Sequence, residues 1–194
     1  MPRLVIATTN PGKVIEIQSA LGDVHSWSLE PIPSATPSIE ETGETFLENA
    51  ILKAEHYSSL SLVDQFTLAD DSGLCVATLG GRPGVHSARY APDPASRIKR
   101  ILQEMAPIPD GKRQAVFYCA LALARGGRTI WTVQGEISGV IAHAAAGTGG
   151  FGYDPVFLLP ELNRTMGEMS TEFKNRHSAR GKAVAELRKF LMSL

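Results

Sequence analysis

Cysteine is scarce: Cys75 and Cys119 are the only two in 194 residues. Each lies in an apolar run, and neither they nor the histidines have zinc-site spacing. A disulfide framework and a structural zinc are therefore excluded, and two buried, reduced thiols are expected. Long hydrophobic runs are missing as well. The longest apolar stretches fall far short of a membrane span. The opening run "LVIA" is too short for a secretion signal and gives way at once to polar turn residues. Nor does one sign of charge dominate, because 19 Lys and Arg stand against 20 Asp and Glu. A net charge of -1 leaves no large basic surface for duplex nucleic acid. The expectation is a soluble, cytoplasmic chain with neither a nucleic-acid polymer nor a membrane as partner. Any nucleotide it holds is a small one, gripped by a few placed cations. Apolar residues are plentiful at 43%, enough for a sizeable core. No repeat or linker divides the chain, so residues 1–194 are read as a single domain.

Residues 3–8 read as a buried strand. Asn10 is a good N-cap and Pro11 fits the first helical position. Val14, Ile17 and Leu21 then recur on one helical face. Residues 25–29 read as a second strand. The segment "PIPSATPSIEETG" is a loop that ends in acidic residues. Thr45 and Glu48 have the capping-box spacing of a helix that continues through Phe46, Asn49, Lys53 and Tyr57. Residues 66–69 read as a strand that stops at Asp70-Asp71-Ser72-Gly73, and residues 74–79 as a further strand. Residues 95–105 have helical periodicity. Residues 115–124 and 129–140 read as two long strands joined by a turn at Arg125-Gly126-Gly127-Arg128. The glycine-rich "AAAGTGGFGYDPVF" leads into a short strand at residues 156–159, and from Ser170 onward the chain reads as helix. The sum is a mixed α/β fold.

Four pieces can carry chemistry, and each also has an ordinary reading. A helix start with Lys13 in its first turn offers free N–H groups, a partial positive charge and a full one, which suits a phosphate. It is also what a plain capped helix with a surface lysine looks like. Glu40, Glu41, Asp70 and Asp71 offer the hard oxygen ligands that Mg²⁺ takes. Asp-Asp-Ser-Gly is equally good turn chemistry. In an extended segment Asp70 and Asp71 point to opposite sides, so they cannot share one role. In "GTGGFGYDPVF" the glycines permit close backbone approach to a ligand. Phe151 and Tyr153 there offer a face to a base, and Asp154 an acceptor; the same aromatics can also simply fill the core. Finally, Lys174, Arg176, Arg180 and Lys182 gather many donors, as a solvated helix face also does.

Taken together and in this order, the pieces resemble one family, the inosine triphosphate pyrophosphatases (Ham1-like, the bacterial XTP/dITP diphosphatases). The matching segments are "TTNPGKVIE", "EETGETFLENAILKA", "LADDSGL", "GGRPGVHSARYA", "GTGGFGYDPVF" and "KNRHSARGKA", and they span nearly the whole chain. The resemblance implies an elongated, two-lobed α/β fold with a central mixed sheet flanked by helices and a nucleotide cleft between the lobes. It implies a homodimeric, Mg²⁺-dependent enzyme that cleaves XTP, ITP and dITP to the monophosphate and pyrophosphate. The family's phosphate-binding segment falls on Thr8, Thr9, Asn10, Pro11, Gly12 and Lys13, with Lys53 as a further lysine near the phosphates. Its metal carboxylates fall on Glu40 and Asp71. The general base falls on Asp71, with Ser72 beside it contacting the substrate. The base-and-sugar loop falls on Phe151, Gly152, Tyr153 and Asp154, and the purine-reading lysine on Lys174.

One position departs from the pattern. The family's usual Ser-His-Arg is here Ser178-Ala179-Arg180. His177 lies two positions before the missing histidine, about 200° away around a helix. The residues allow a mechanism in which Asp71, assisted by Asp70, activates a water for attack on the α-phosphorus. Lys174 and Arg180 would donate to the 6-oxygen of hypoxanthine or xanthine and be left unpaired against adenine. Rival readings are a Maf-type pyrophosphatase acting on modified nucleotides and a nucleotide-binding regulator without turnover.

Overall fold

The computed structural model describes residues 2–24, 27–33, 35–60 and 65–194. Strand β1 (Arg3–Ile6) takes the first apolar run and is buried over its last three residues. Asn10 ends the extended segment and starts α1 (Pro11–Leu21). Its side-chain oxygen accepts from the backbone N–H of Gly12 and of Lys13, while Pro11 fills the first turn. Strand β2 (Ser28–Pro31) follows; of the expected strand at residues 25–29, residues 25 and 26 lie outside the described residues. Helix α2 (Phe46–Ser59) opens on the expected capping box of Thr45 and Glu48.

Next come β3 (Gln65–Val76), α3 (Pro94–Met105), β4 (Gln114–Arg125) and β5 (Arg128–Ile141). The β4–β5 hairpin turns where expected, with Gly126 and Gly127 at φ 58° and 77°, the left-handed region that glycine enters freely. The chain closes with β6 (Phe157–Leu159), β7 (Arg164–Thr165), α4 (Thr171–His177) and α5 (Ala179–Ser193). The strands form one mixed sheet in the order β2-β1-β3-β4-β5-β6-β7. The first three run parallel and the rest antiparallel. No helix among the described residues is long and apolar enough to cross a membrane.

Two elements differ from the sequence reading. Asp70-Asp71-Ser72-Gly73 is not a strand end. β3 runs straight through it, paired with β4 from Phe66 opposite Arg125 to Val76 opposite Ala115. Turn propensity loses here because the ladder satisfies the backbone and other elements supply partners for the polar side chains. The carboxyl-terminal helix is two helices. Ser178 is extended (φ -66°, ψ 160°) and its side chain caps α5 through Gly181 N–H. A Cβ on Gly181 would lie 2.4 Å from the Asn175 carbonyl oxygen. Only glycine lets the start of α5 close on the end of α4.

The core lies on both faces of the sheet. One apolar cluster packs α1 and α5 on β1, β3 and β4 through Leu4, Ile6, Ile17, Leu68, Leu121 and Leu187. A second, under α2, joins Val5, Ala50, Ala54, Ala69, Ala120 and Ala122. A third fills the other half of the molecule around Leu74, Ile101, Tyr153, Phe157 and Met166. Alternation along β3 sends Leu68 to the first face and Ala69 to the second. The next two residues, Asp70 and Asp71, continue that alternation.

Candidate active site

Asp70 projects toward α1 and α5. It forms ion pairs with Lys13 and with Arg180, whose Nε donates to Oδ2 at 3.0 Å. Ser72 Oγ donates at 3.1 Å and Cys119 Sγ at 3.0 Å. Burial works to raise the pKa of Asp70, but the charges of Arg180 and Lys13 and their hydrogen bonds overcome it. The carboxyl is held far below the usual carboxylate range. Asp70 is thus a committed anion, ion-paired to two cations. Of the two thiols expected to be buried, Cys119 is, and burial pushes its pKa well up, whereas Cys75 is only partly buried.

Asp71 projects toward α2. Lys53 Nζ lies 2.9 Å from Oδ1, and Asn49 Nδ2 donates to Oδ2 at 3.4 Å. Burial pushes the Asp71 pKa up, and the charges of Lys53 and Lys13 offset this only in part. Lys53 also holds Glu41 at 2.8 Å, and Arg89 reaches Glu41 at 3.3 Å from the rim. Burial alone would lower the pKa of Lys53, but Asp71 and Glu41 raise it, so it stays charged.

The acidic loop before α2 places Glu41, not Glu40, in this group. Glu40 is exposed, whereas Glu41 lines the cavity. Neighbours in an extended segment face opposite ways, and Lys53 captures the second of the two. Asn49 fixes the loop by accepting from Gly43 N–H at 2.8 Å. Two hard oxygen donors, from Asp71 and Glu41, therefore converge on one cation, the Lys53 ammonium. Mg²⁺ takes one or two carboxylates and completes its shell with waters and phosphate oxygens, so this pair fits it. Among the described residues, no group of three or more acidic, histidine or cysteine side chains is arranged to hold a metal alone.

A third group joins the glycine-rich loop to α1, α4 and α5. Lys174 Nζ lies 2.7 Å from Asp154 Oδ2 and 2.5 Å from Glu16 Oε1, and Arg180 pairs with the other Glu16 oxygen. Phe151 N–H donates to Asp154 at 3.0 Å. Arg180 and Lys174 sit 5.3 and 5.9 Å from the centroid of the Phe151 ring. Tyr153 is buried and its hydroxyl donates to the Ser87 carbonyl at 2.9 Å. Glu16 was absent from the sequence reading. Its signal was its place three residues after Lys13, on the same face of α1. His177 is exposed and packs on Phe173 at 4.4 Å, while Ala179 lines the cavity. The histidine does not stand in for the alanine.

These groups surround one cavity of about 290 Å³. Of the expected residues, Asn10, Lys13, Asp71, Ser72, Phe151, Gly152, Tyr153, Asp154, Lys174 and Arg180 line it. Lys53 stands behind Asp71 and Glu41. Thr8 and Thr9 lie in the turn before α1, where Thr8 accepts from Asn10 N–H at 3.2 Å, and Pro11 and Gly12 open the helix. A Cβ on Gly12 would sit 2.9 Å from the Phe151 ring. Phe117, Ile137 and Met166 give the cavity an apolar wall. The ion-paired set balances, with Lys13, Lys53, Arg89, Lys174 and Arg180 against Glu16, Glu41, Asp70, Asp71 and Asp154.

The sequence model of the Ham1 family matches residues 4–190. A dITP/XTP pyrophosphatase of Geobacillus kaustophilus is 49% identical, over 96% of this chain and 93% of its own. Another, of Bacillus subtilis, is 42% identical over 98% of each chain. Among solved structures, a HAM1 protein from Coxiella burnetii has a TM-score of 0.88 at 38% identity, with both chains covered in full. The Staphylococcus aureus Ham1 protein has a TM-score of 0.84 at 35% identity, covering 98% of each chain.

Proposed function

The chain belongs to the Ham1 family, and from that premise we propose that it hydrolyses non-standard purine nucleoside triphosphates (XTP, ITP and dITP) to the monophosphate and pyrophosphate, removing them from the nucleotide pool. The observation that carries this reading is the division of labour across β3. Asp70 is locked between Lys13 and Arg180, while Asp71 faces the cavity with a raised pKa beside Lys53 and Glu41.

Asp71 is the proton acceptor for a water directed at the α-phosphorus. Lys13 turns from Asp70 to the phosphates, and Lys13 and Lys53 hold the charge that develops on the departing pyrophosphate. Asp71 and Glu41 would hold Mg²⁺, which would supply Lewis acidity and charge neutralisation. Phe151 offers its ring to the base, against the apolar wall. Lys174 and Arg180 donate to the 6-oxygen of hypoxanthine or xanthine. Adenine presents a donor there and leaves a buried donor unpaired, a cost of about 1–3 kcal/mol. A homodimer and a cytoplasmic location complete the reading. Sedimentation equilibrium and cell fractionation test them, and a monomer mass or a membrane-bound pool would remove them.

Purified protein with Mg²⁺ and a panel of ITP, XTP, dITP, ATP, GTP and dTTP tests the reaction through pyrophosphate release. Fast release from the first three alone is the expected result. Release from modified pyrimidine nucleotides instead would favour a Maf-type enzyme, and tight binding without release a regulator.

A further inference from the structure

Four of the five cations around the cavity's acidic groups are buried or nearly so, and all five are matched by the chain's own carboxylates. Arg97 is different. It lies near the start of α3 and lines the same cavity. Its Nε is buried with no hydrogen-bond partner. No ion pair among the described residues includes it. The acid at its own helix start, Asp93, feels the charge of Arg97 but forms no ion pair with it; it accepts from Ser96 N–H at 2.9 Å and from the Ser96 hydroxyl at 2.6 Å. The first turn of a helix is also an unfavourable place for a cation.

The surroundings tie Arg97 to the catalytic strand. Its charge acts on Tyr153, whose hydroxyl is bonded to the Ser87 carbonyl. Ser87 Oγ in turn accepts from Leu74 N–H at 2.9 Å, three residues along β3 from Asp71. A triphosphate brings more negative charge than one divalent cation offsets, and the balanced ion-pair set has none to spare. A guanidinium with unused N–H groups is suited to phosphate oxygens.

We propose that Arg97 is a further substrate-binding residue that takes phosphate charge of the nucleoside triphosphate. This rests on the hydrolase reading given above. The test is calorimetric titration of wild type and Arg97→Gln with inorganic tripolyphosphate and with ITP, without divalent cation, alongside ITP hydrolysis with Mg²⁺. Arg97→Gln is expected to weaken both ligands about tenfold and to raise KM for ITP by a similar factor, with kcat within about twofold. Arg97→Lys is expected to recover most of the loss. Where Arg97→Gln lowers the thermal midpoint, Arg97→Met, which keeps the packed stem, carries the comparison. Unchanged binding of tripolyphosphate overturns the proposal, whether or not ITP binding falls. If wild type releases no pyrophosphate from any nucleotide, the hydrolase reading fails, while the tripolyphosphate titrations still decide Arg97.

Discussion

On the α1/α5 face of β3, Asp70 meets Lys13, Arg180, Ser72 and Cys119. One residue on, across the sheet, Asp71 meets Lys53 and Asn49. Both carboxyls are buried, yet their pKa values move in opposite directions. Burial does not assign an acid its role; the number and charge of its partners do. The α1/α5 face, continued through Glu16 to Lys174, holds the groups proposed to recognise the base. The α2 face holds Asp71, Lys53 and Glu41, proposed for hydrolysis, which Lys13 joins from the α1 side.

The sharpest way to break this contrast is Asp71→Asn. Turnover of ITP should fall about a thousandfold, read in a pyrophosphate-release assay. The fold should survive. Lys53 loses one carboxylate but keeps Glu41, so the Asn variant should lose little in thermal midpoint. Asp70→Asn should do the reverse. It removes the carboxylate of Lys13 and one of the two that hold Arg180, and denaturant titration should show a loss of about 3–5 kcal/mol. Equal stability losses in the two variants would erase the distinction between the faces.

Their pH dependences should separate too. The folded pKa of Asp70 is depressed, so its stabilisation is present above the ordinary carboxylate value of about 4 and is lost as pH falls through the depressed one. The Asp71 carboxyl of the metal-free protein, by contrast, should titrate above that ordinary value, read by NMR. A smaller effect comes from Lys174→Ala, with kcat/KM for ITP down about 10- to 100-fold and that for ATP changed far less. Equal losses on both nucleotides would take Lys174 out of base recognition. Smallest is His177→Ala, an exposed change expected to alter kcat/KM by less than about twofold.

Local signals in the sequence marked much of this architecture: the Asn10 cap, the Thr45–Glu48 box, the glycine turn of the hairpin and the opposed aspartates. It misled where partners are distant in the chain. Asp-Asp-Ser-Gly reads as a turn because nothing nearby says that Arg180 and Lys53 will receive its charges. Glu16 was silent because its partners lie more than 150 residues away. Glu40 and Glu41 are equivalent in sequence, and only the reach of Lys53 across 12 residues tells them apart. Ser178 hid a break between two helices because its extended backbone is fixed by the packing around Gly181.

The balance of five cations and five carboxylates has a consequence for encounter. Charges that cancel at contact distance project little field past a Debye length of about 8 Å at physiological salt. The cleft therefore does little to steer polyphosphates in from solution, and their arrival should depend weakly on ionic strength. Ordinary nucleotides are not drawn in merely for being anions. A visitor is held when it gives Lys13, Lys174 and Arg180 better partners than the carboxylates they must leave, so discrimination begins with the opening of the protein's own ion pairs.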